Sequence, residues 1–131
     1  MVLENLSLLI TDDDRDFRET LCGLFEPRGF RTLAAGDGEE ALRIVQREPV
    51  HLVLLDMHMP KLTGLETLRR VKQVHERLPC ILLSADMDEQ LAEEARLAHA
   101  FSVLWKPVRS AEITRIVEQA LQSAYDWYRH A

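Results

Sequence analysis

This sequence of 131 residues lacks several features that are typical of particular classes of protein, and each absence argues against one class. Its two cysteines, Cys22 and Cys80, are too few for the disulfide framework of a small secreted domain. No apolar run approaches the roughly 20 residues that a transmembrane helix needs. The segment from Met1 to Ser7 also lacks the basic start of a signal peptide. We therefore predict a cytoplasmic protein that is not embedded in a membrane.

Basic residues are also scarce relative to acidic ones. The chain has 16 Lys and Arg against 22 Asp and Glu, which gives a net charge of −6 at pH 7. This balance argues against a domain that binds nucleic acid or an anionic membrane through its overall charge. Glycine and proline number only five each, and no segment rich in them divides the chain. The length and the 47% hydrophobic content predict a single globular domain over residues 1–131.

Short apolar segments recur along the chain and predict β-strands. They are nearly continuous in Leu, Ile and Val, which is typical of strands buried on both faces of a parallel sheet. The segment Arg31–Ala35 is weaker, and we expect an edge strand there. The stronger segments are Leu6–Thr11, Leu52–Asp56, Cys80–Ser84 and Phe101–Lys106.

Segments with helical spacing of apolar residues lie between these strands. Asp37 and Glu40 have the spacing of a capping box at the start of the second helix, and Ser110 is the expected N-cap of the fifth. Strands and helices alternate five times, which predicts an α/β fold: a doubly wound, five-stranded parallel sheet with helices on both faces. The first helix has an apolar stripe formed by Phe17, Leu21, Leu24 and Phe25.

Polar and charged residues stand where four of the predicted strands end. In open α/β sheets, ligands bind beyond the carboxyl ends of the strands. Carboxylates with open positions suit Mg²⁺, a lysine can pair with a phosphoryl oxygen, and a carboxylate can act as a nucleophile that forms an aspartyl-phosphate. The strands end on Asp12 and Asp13, on Asp56, on Ser84 and on Lys106.

Each of these residues also has a purely structural interpretation. We expect Asp14 and Asp16 to cap the first helix and to complement its dipole. Asp12 and Asp13 could on their own belong to the same acidic turn, and Asp56 could be a turn residue. What favours a functional site is that four strand ends deliver such groups to one edge of the sheet.

The motifs at these strand ends resemble those of the receiver (phosphoacceptor) domain of two-component response regulators. The resemblance covers about residues 6–124 and implies a flavodoxin-like (βα)5 fold with strand order 2-1-3-4-5. Residues 125–131 would then be a C-terminal extension of the last helix or the start of a linker. The motifs are LLITDDD at 8–14, LVLLDMHMP at 52–60, Gly64, ILLSA at 81–85, and Lys106-Pro107.

The resemblance implies a role for each residue at the strand ends. Asp56 would be phosphorylated, and the cofactor would be Mg²⁺. The metal would be bound by Asp12, Asp13, Asp56 and the backbone carbonyl of His58. The phosphoryl group would be held by Ser84, the backbone amide of Ala85, and Lys106, and the peptide bond to Pro107 would be cis.

The sequence departs from the family pattern three residues before Lys106. Relatives usually have Tyr or Phe there, whereas this chain has Val103. Period-2 alternation places Phe101, Val103 and Trp105 on one face of the fifth strand. We expect Val103 and Trp105 to contribute to a signalling face, although Trp105 could instead only pack against neighbouring helices.

The function implied is that of a phosphorylation-dependent signalling module. A sensor histidine kinase or a phosphotransfer protein would donate the phosphoryl group, and the module would control an output protein or domain. The fourth helix, fifth strand and fifth helix would form the switching face and could support a homodimer. On this interpretation the chain promotes its own phosphorylation and dephosphorylation but is not an enzyme for a diffusible substrate, and it does not contact nucleic acid itself.

Two other functions stay open at this stage. An aspartate-nucleophile, Mg²⁺-dependent phosphohydrolase would use Asp-x-Asp after the first strand, which Asp12 and Asp14 supply formally. Such enzymes usually have Thr or Val two residues later, where this chain has Asp16. A receiver-like interaction module without phosphate turnover is the other alternative. The presence of Asp13, Asp56 and Lys106 argues against it, and the unusual Val103 keeps it open.

The sequence also predicts the positions of several polar residues that do not belong to the strand-end site. His99 is expected at the C-terminal end of the fourth helix and His51 on the surface, whereas Cys80 is expected to be a buried thiol. Asp86 either caps the fourth helix, with Glu89 in capping-box register, or controls access of water to the aspartyl-phosphate.

Overall fold

The computed structural model describes residues 6–86, 88–125 and 128. Its centre is a five-stranded parallel sheet in the order β2-β1-β3-β4-β5. This confirms the α/β class and the order 2-1-3-4-5, and β2 lies at an edge as predicted. The strands are β1 Ser7–Thr11, β2 Arg31–Ala35, β3 Leu52–Asp56, β4 Cys80–Ser84 and β5 Ser102–Trp105.

Five helices connect or follow the strands. A short 3₁₀ turn, Glu26–Arg28, follows the first helix, and Gly29 with φ 94° ends it in the left-handed conformation that glycine tolerates. Within the described part of the chain, no helix has the length and apolar character needed to cross a membrane. The helices are α1 Arg15–Phe25, α2 Gly38–Arg47, α3 Gly64–Val74, α4 Glu89–Leu97 and α5 Ser110–Ala124.

The helices cover both faces of the sheet, as predicted. Leu8 and Ile10 of β1 pack in one apolar cluster with α1 and α5, whereas Leu9 packs in a second cluster with α2, α3 and α4. Every residue of β1, β3 and β4 is buried. Burial on both faces is the reason why the strand segments are continuously apolar rather than alternating.

Two of the five helix starts follow the sequence prediction. Asp14 caps α1, because its side chain accepts the amides of Asp16 and Phe17. Asp37 caps α2 by accepting the amide of Glu40. A full capping box, which the sequence analysis missed, starts α3, where Thr63 and Glu66 bond to each other's backbone amides.

Two predicted caps are wrong. Asp88, not Asp86, caps α4, because its side chain accepts the amides of the second and third helical residues. Ser110 is the first residue of α5 rather than its N-cap, and Arg109 at the cap position makes no side-chain cap bond. The predicted cap lies two residues from the observed cap in α4 and one residue from it in α5. Spacing in the sequence does not define the start of a helix to within one or two residues.

His51 was predicted to lie on the surface, and this prediction is wrong. Its ring is half-buried, and Nδ1 accepts the Ser7 amide at 3.0 Å. Its carbonyl oxygen accepts the Tyr125 hydroxyl at 2.8 Å, and the two rings meet edge to face. Burial lowers the pKa of His51, so the imidazole is neutral and can accept this hydrogen bond. His51 therefore connects the start of β1 to the end of α5.

The remaining structural predictions concern the ends of α4 and α5 and one thiol. His99 follows α4 in the left-handed conformation, with φ 68°, which confirms its place at the helix end. Cys80 is fully buried, and this burial raises the pKa of its thiol to about 12. Helix α5 ends at Ala124 and Tyr125 is extended, whereas residues 126, 127 and 129–131 of the predicted extension lie outside the described residues.

Candidate functional site: an acidic pocket at the carboxyl edge of the sheet

The four strand ends singled out from the sequence meet at one edge of the sheet. The parallel register pairs Thr11 with Leu55 and Ser84 with Trp105, so the residues that follow these positions emerge side by side. Asp12 and Asp56 are almost fully buried there, whereas Asp13 is exposed. The sheet therefore brings together carboxylates that are 44 positions apart in the sequence.

Backbone contacts hold Asp12 firmly. Its amide donates to the carbonyl of Ala35 at 3.1 Å, and its carboxylate Oδ1 accepts the amide of Asp14 at 2.9 Å. The guanidinium of Arg18 donates to its carbonyl oxygen at 2.7 Å. Oδ2 is then directed at Lys106, so one carboxylate oxygen is bound by backbone and the other lies in the pocket.

Lys106 is the cation of this pocket. Its Nζ lies 3.0 Å from Asp12 Oδ2 and 2.9 Å from Asp56 Oδ1. The peptide bond to Pro107 is cis, as the resemblance implied. Lys106 therefore bridges two buried carboxylates that would otherwise repel each other at close range.

Burial and charge shift the pKa values of both partners. Burial raises the pKa of Asp56, and the nearby Asp12 and Asp13 raise it further, while the hydrogen bond from Lys106 opposes this shift. Burial by itself lowers the pKa of Lys106, but its bonds to the two carboxylates outweigh burial and leave that pKa above its ordinary value. The ammonium is therefore retained in the pocket.

The pocket has the donor set of a site for a hard divalent cation. Asp12, Asp13 and Asp56 can each offer one carboxylate oxygen such that all three atoms lie within 4.8 Å of one another. Three carboxylates against one lysine leave a local charge of −3 + 1 = −2. Three oxygen donors with a net local charge of −2 can hold a divalent metal ion.

The loop after β3 approaches the pocket closely because of one glycine. A Cβ on Gly64 would lie 2.8 Å from the Cα of Met57, and closer still to the carbonyl oxygen of Asp56. The amide of Gly64 donates to the carbonyl of Met57 at 2.8 Å, which closes the loop. Any side chain here would push α3 away from the backbone that positions Asp56.

The hydroxyl of Ser84 is fully buried at the end of β4 but does not bond to Asp56. It exchanges two hydrogen bonds of 3.2 Å with the backbone of Asp86, one donated and one accepted. The intervening Ala85 is exposed. The residues expected to contact a phosphoryl group therefore lie in a local turn next to the pocket.

A contact between two loops was missed by the sequence analysis. His58 Nε2 lies 2.9 Å from the Asp86 carboxylate, so the loop after β3 is joined to the loop after β4. Both side chains are exposed. Asp86 does not cap α4, because Asp88 holds that position, and its effect on the access of water stays a prediction.

Phe17 is another residue whose part in the site was missed. Sequence spacing assigned it to the apolar stripe of α1, and it does pack against the first apolar cluster. Its ring also lies under the ammonium of Lys106, 4.3 Å from Nζ to the ring centroid, which is a cation–π contact. No local signal could have predicted this, since 89 positions separate the two residues.

The pattern Asp-x-Asp after β1 does not form a pair of catalytic carboxylates. Asp12 points into the pocket, but Asp14 Oδ1 accepts the amides of Asp16 and Phe17 at the start of α1. Asp14 is therefore occupied as a helix cap, as predicted. This geometry removes the basis on which the sequence supported a phosphohydrolase.

The predicted signalling residues lie on one face, as alternation requires. Val103 and Trp105 are half-buried and both pack against the cluster that contains α4. Phe101 is 38% exposed and lines the same small cavity as these two residues. Trp105 is therefore accessible at the edge of β5 and also contacts the core.

Comparison with known proteins agrees with this geometry. A family model described as "Response regulator receiver domain" matches residues 8–118. The sporulation initiation phosphotransferase F of Bacillus subtilis (strain 168) is 34% identical over 117 residues, which are 89% of this chain and 94% of that protein. The regulatory protein AtoC of Escherichia coli (strain K12) is 34% identical over 115 residues, which are 88% of this chain but 25% of AtoC.

Other relatives are also longer than this chain, and solved structures share its fold. The chain spans 55% of the response regulator RR06 of Streptococcus pneumoniae, at 29% identity. A receiver domain structure from Clostridium thermocellum has a TM-score of 0.85 and 29% identity, and covers 90% of this chain. A CheY-like receiver domain from Methanospirillum hungatei reaches 0.90 at 20% identity, which shows the fold alone.

The match covers most of the chain, and it includes the strands that carry Asp12, Asp56, Ser84 and Lys106. The chain belongs to the family of response regulator receiver domains of two-component systems.

Proposed function

We propose that this receiver domain accepts a phosphoryl group on Asp56 from the phosphohistidine of a sensor histidine kinase or a phosphotransfer protein. The observation that carries this proposal is the placement of the Asp56 carboxylate, which lies buried between Lys106 and the acidic pair Asp12 and Asp13. A purely structural aspartate would need only one compensating cation, whereas this pocket keeps two further carboxylates.

The chemistry follows from the charges in the pocket. Phosphoryl transfer depends on alignment and on neutralisation of the equatorial phosphoryl oxygens. A carboxylate oxygen of Asp56 forms a bond to phosphorus while the P–N bond of the donor breaks, and the histidine nitrogen leaves with the electron pair. Lys106 already lies 2.9 Å from Asp56 and would pair with a phosphoryl oxygen.

A divalent cation is part of this proposal, and we assign Mg²⁺ to it. Asp12, Asp13, Asp56 and the backbone carbonyl of His58 would hold it. Bound there, it would neutralise charge on the phosphoryl oxygens and keep water in its remaining positions. The exposed Asp13 leaves the pocket open on the side from which a donor approaches.

The switch would begin at Ser84. The hydroxyl would leave the backbone of Asp86 and bond to the phosphoryl group, and the amide of Ala85 would hold the same group. This rearranges the loop before α4 and changes the face that carries Val103 and Trp105. An output protein or domain, or a second copy of the chain, would read this face formed by α4, β5 and α5.

The domain would thus promote its own phosphorylation and dephosphorylation without acting on a diffusible substrate. Its partners would be cytoplasmic, and it would contact neither nucleic acid nor a membrane directly. Residues 1–131 would form one such domain, whatever the length of the whole protein.

Mass spectrometry tests the proposal directly. Incubation with Mg²⁺ and acetyl phosphate should give one phosphoryl adduct in the intact mass. The adduct should be absent in Asp56→Asn and retained in Asp14→Asn, because Asp14 is engaged as the cap of α1. Absence of an adduct in the unsubstituted protein with acetyl phosphate and with a phosphohistidine donor would refute the function.

A further inference from the structure

Asp13 is the least restrained of the three carboxylates in the acidic pocket. Lys106 bonds to both Asp12 and Asp56. Asp12 also accepts the amide of Asp14. Asp13 is exposed, and its side chain makes no hydrogen bond or ion pair with any residue that the structure describes. The direction of its carboxylate therefore depends on how the backbone is held at this position.

A single arginine holds that backbone. Nη1 of Arg18 donates to the carbonyl oxygen of Asp12 at 2.7 Å. This carbonyl belongs to the peptide group that joins Asp12 to Asp13, and a peptide group is planar. Holding its oxygen therefore sets the orientation of the whole plane, and with it the position from which the Asp13 side chain starts.

The arginine is itself held in place. Arg18 is half-buried, and its Nη1 lies 3.6 Å from the position that a Cβ on Gly36 would occupy. The amide of Gly36 donates to the carboxylate of Glu40 at 2.7 Å, which fixes this part of the loop between β2 and α2. Arg18 therefore contacts both this loop and the turn after β1, and its planar guanidinium has few orientations available.

The ordinary roles of an arginine on a helix do not explain this placement. Arg18 lies near the start of α1, where a cation is unfavourable to the helix dipole. Asp14 has the spacing of an i, i+4 partner, but its carboxylate caps the helix through the amides of Asp16 and Phe17. Arg18 makes no ion pair within the described part of the chain. Its hydrogen bond is instead made to a backbone carbonyl beside the acidic pocket.

We propose that Arg18 is a positioning residue for the divalent cation, and that it acts by directing the Asp13 carboxylate into the pocket. This inference rests on the cation of the proposed function. The three donor oxygens can lie within 4.8 Å of one another with the backbone as it stands. Rotation of the peptide group between Asp12 and Asp13 would move one of these donors away from the other two.

Charge and position predict opposite effects of removing Arg18. If Arg18 acted only through its charge, its removal would strengthen cation binding, because like charges repel. If Arg18 positions Asp13, its removal weakens cation binding although the pocket becomes more negative. Residues that orient a metal ligand without touching the metal contribute about tenfold or more to the affinity of a site.

The test is a titration of the ¹⁵N-labelled protein with Mg²⁺, followed by the amide chemical shifts. Arg18→Gln should raise the dissociation constant for Mg²⁺ about tenfold. Arg18→Lys keeps the charge but has one compact donor in place of the planar fork, so it should raise the constant less than Arg18→Gln does. The spectra without Mg²⁺ provide a second readout, because the amides of Asp13 and Asp14 should shift in Arg18→Gln while those of β4 and β5 keep their positions.

The unchanged amides of β4 and β5 also verify that each variant folds. If Arg18→Gln does not fold, Arg18→Lys still decides. Weaker binding with the charge retained cannot come from the charge, whereas unchanged binding in Arg18→Lys would contradict a role that depends on the guanidinium.

A matched control and a double variant make the result specific. Arg15 also lies on α1, but it pairs with Glu19 on the surface. Arg15→Gln makes the same charge change without loss of a contact to Asp12, and should alter the dissociation constant less than about twofold. In an Asp13→Ala background, Arg18→Gln should also have an effect of less than about twofold, because the ligand that it directs is already absent.

Three outcomes would overturn the inference. Equal or tighter Mg²⁺ binding in Arg18→Gln would show that Arg18 does not position a ligand. An equal loss of affinity with and without the Asp13 carboxylate would show that Arg18 does not act through Asp13. Absence of Mg²⁺ binding in the unsubstituted protein would remove the cation and this inference together, whereas the first two outcomes leave the proposed function unchanged.

Discussion

Asp13 offers the sharpest test of the acidic pocket, because its contribution to stability should change sign when a cation binds. Without a divalent ion, three carboxylates share one ammonium, and their ligand oxygens can come within 4.8 Å of one another. Asp13→Asn removes one negative charge from this group. It should stabilise the apo protein and destabilise the cation-bound protein relative to the unsubstituted chain.

The magnitude follows from the geometry. Two like charges 4.8 Å apart repel by about 0.9 kcal/mol in water and by about 3.5 kcal/mol at an effective dielectric constant of 20. Asp13 is exposed, so the lower figure applies to each of its two repulsive pairs, and attraction to Lys106 cancels about half of their sum. We expect Asp13→Asn to raise the free energy of unfolding by about 1 kcal/mol in a chelator at low salt.

The assay is urea unfolding in EDTA and in saturating Mg²⁺. A cation at about five times its dissociation constant stabilises the native state by about 1 kcal/mol, so the order of the two proteins should reverse above that concentration. Asp14→Asn is the matched control. It makes the same charge change one residue along the chain, and asparagine remains a good N-cap, so its small effect should be equal in both buffers.

Two results would refute this reasoning. If Asp13→Asn is no more stable than the unsubstituted protein in EDTA, the carboxylates do not repel in the apo state. If Mg²⁺ stabilises Asp13→Asn as much as it stabilises the unsubstituted protein, Asp13 is not a ligand. The first result would remove the electrostatic reason for a cation in this pocket, and the second would remove Asp13 from its ligands.

Three further predictions test individual contacts. Phe17→Leu removes a cation–π contact worth about 1 kcal/mol and should slow phosphorylation by acetyl phosphate about fivefold, whereas Phe17→Tyr should keep the rate of the unsubstituted protein. Equal rates for the two variants and the unsubstituted protein would show that the ring does not position Lys106. His99→Gly relieves a left-handed residue and should stabilise the fold by about 0.5 kcal/mol after the entropy of glycine is subtracted, as urea unfolding would show; a loss of stability would contradict it. Burial lowers the pKa of His51 in the folded state, so the unfolded chain binds the proton at a higher pH than the folded chain does. The free energy of unfolding should therefore decrease as the pH falls below about 6.5, and His51→Asn should lose less of it between about pH 7.5 and pH 5.5.

The class of fold and the members of the acidic pocket could both be predicted from the pattern of residues. Strands buried on both faces must be continuously apolar, so β1, β3 and β4 were visible without a structure. The carboxyl ends of parallel strands lie at one edge, so Asp12, Asp56 and Lys106 could be grouped from their positions alone. The strand order itself came from the resemblance to a family and not from the spacing of residues.

The contacts between residues that are distant in sequence, and the choice between neighbouring caps, depend on how the elements pack in three dimensions. Phe17 was predicted as a core residue, yet its ring also contacts Lys106, because α1 packs beside the end of β5. His51 had no local signal for its bond to Ser7, and Asp88 could not be preferred to Asp86 by spacing. Periodicity reports which face of an element is buried, whereas a specific partner depends on where two elements meet.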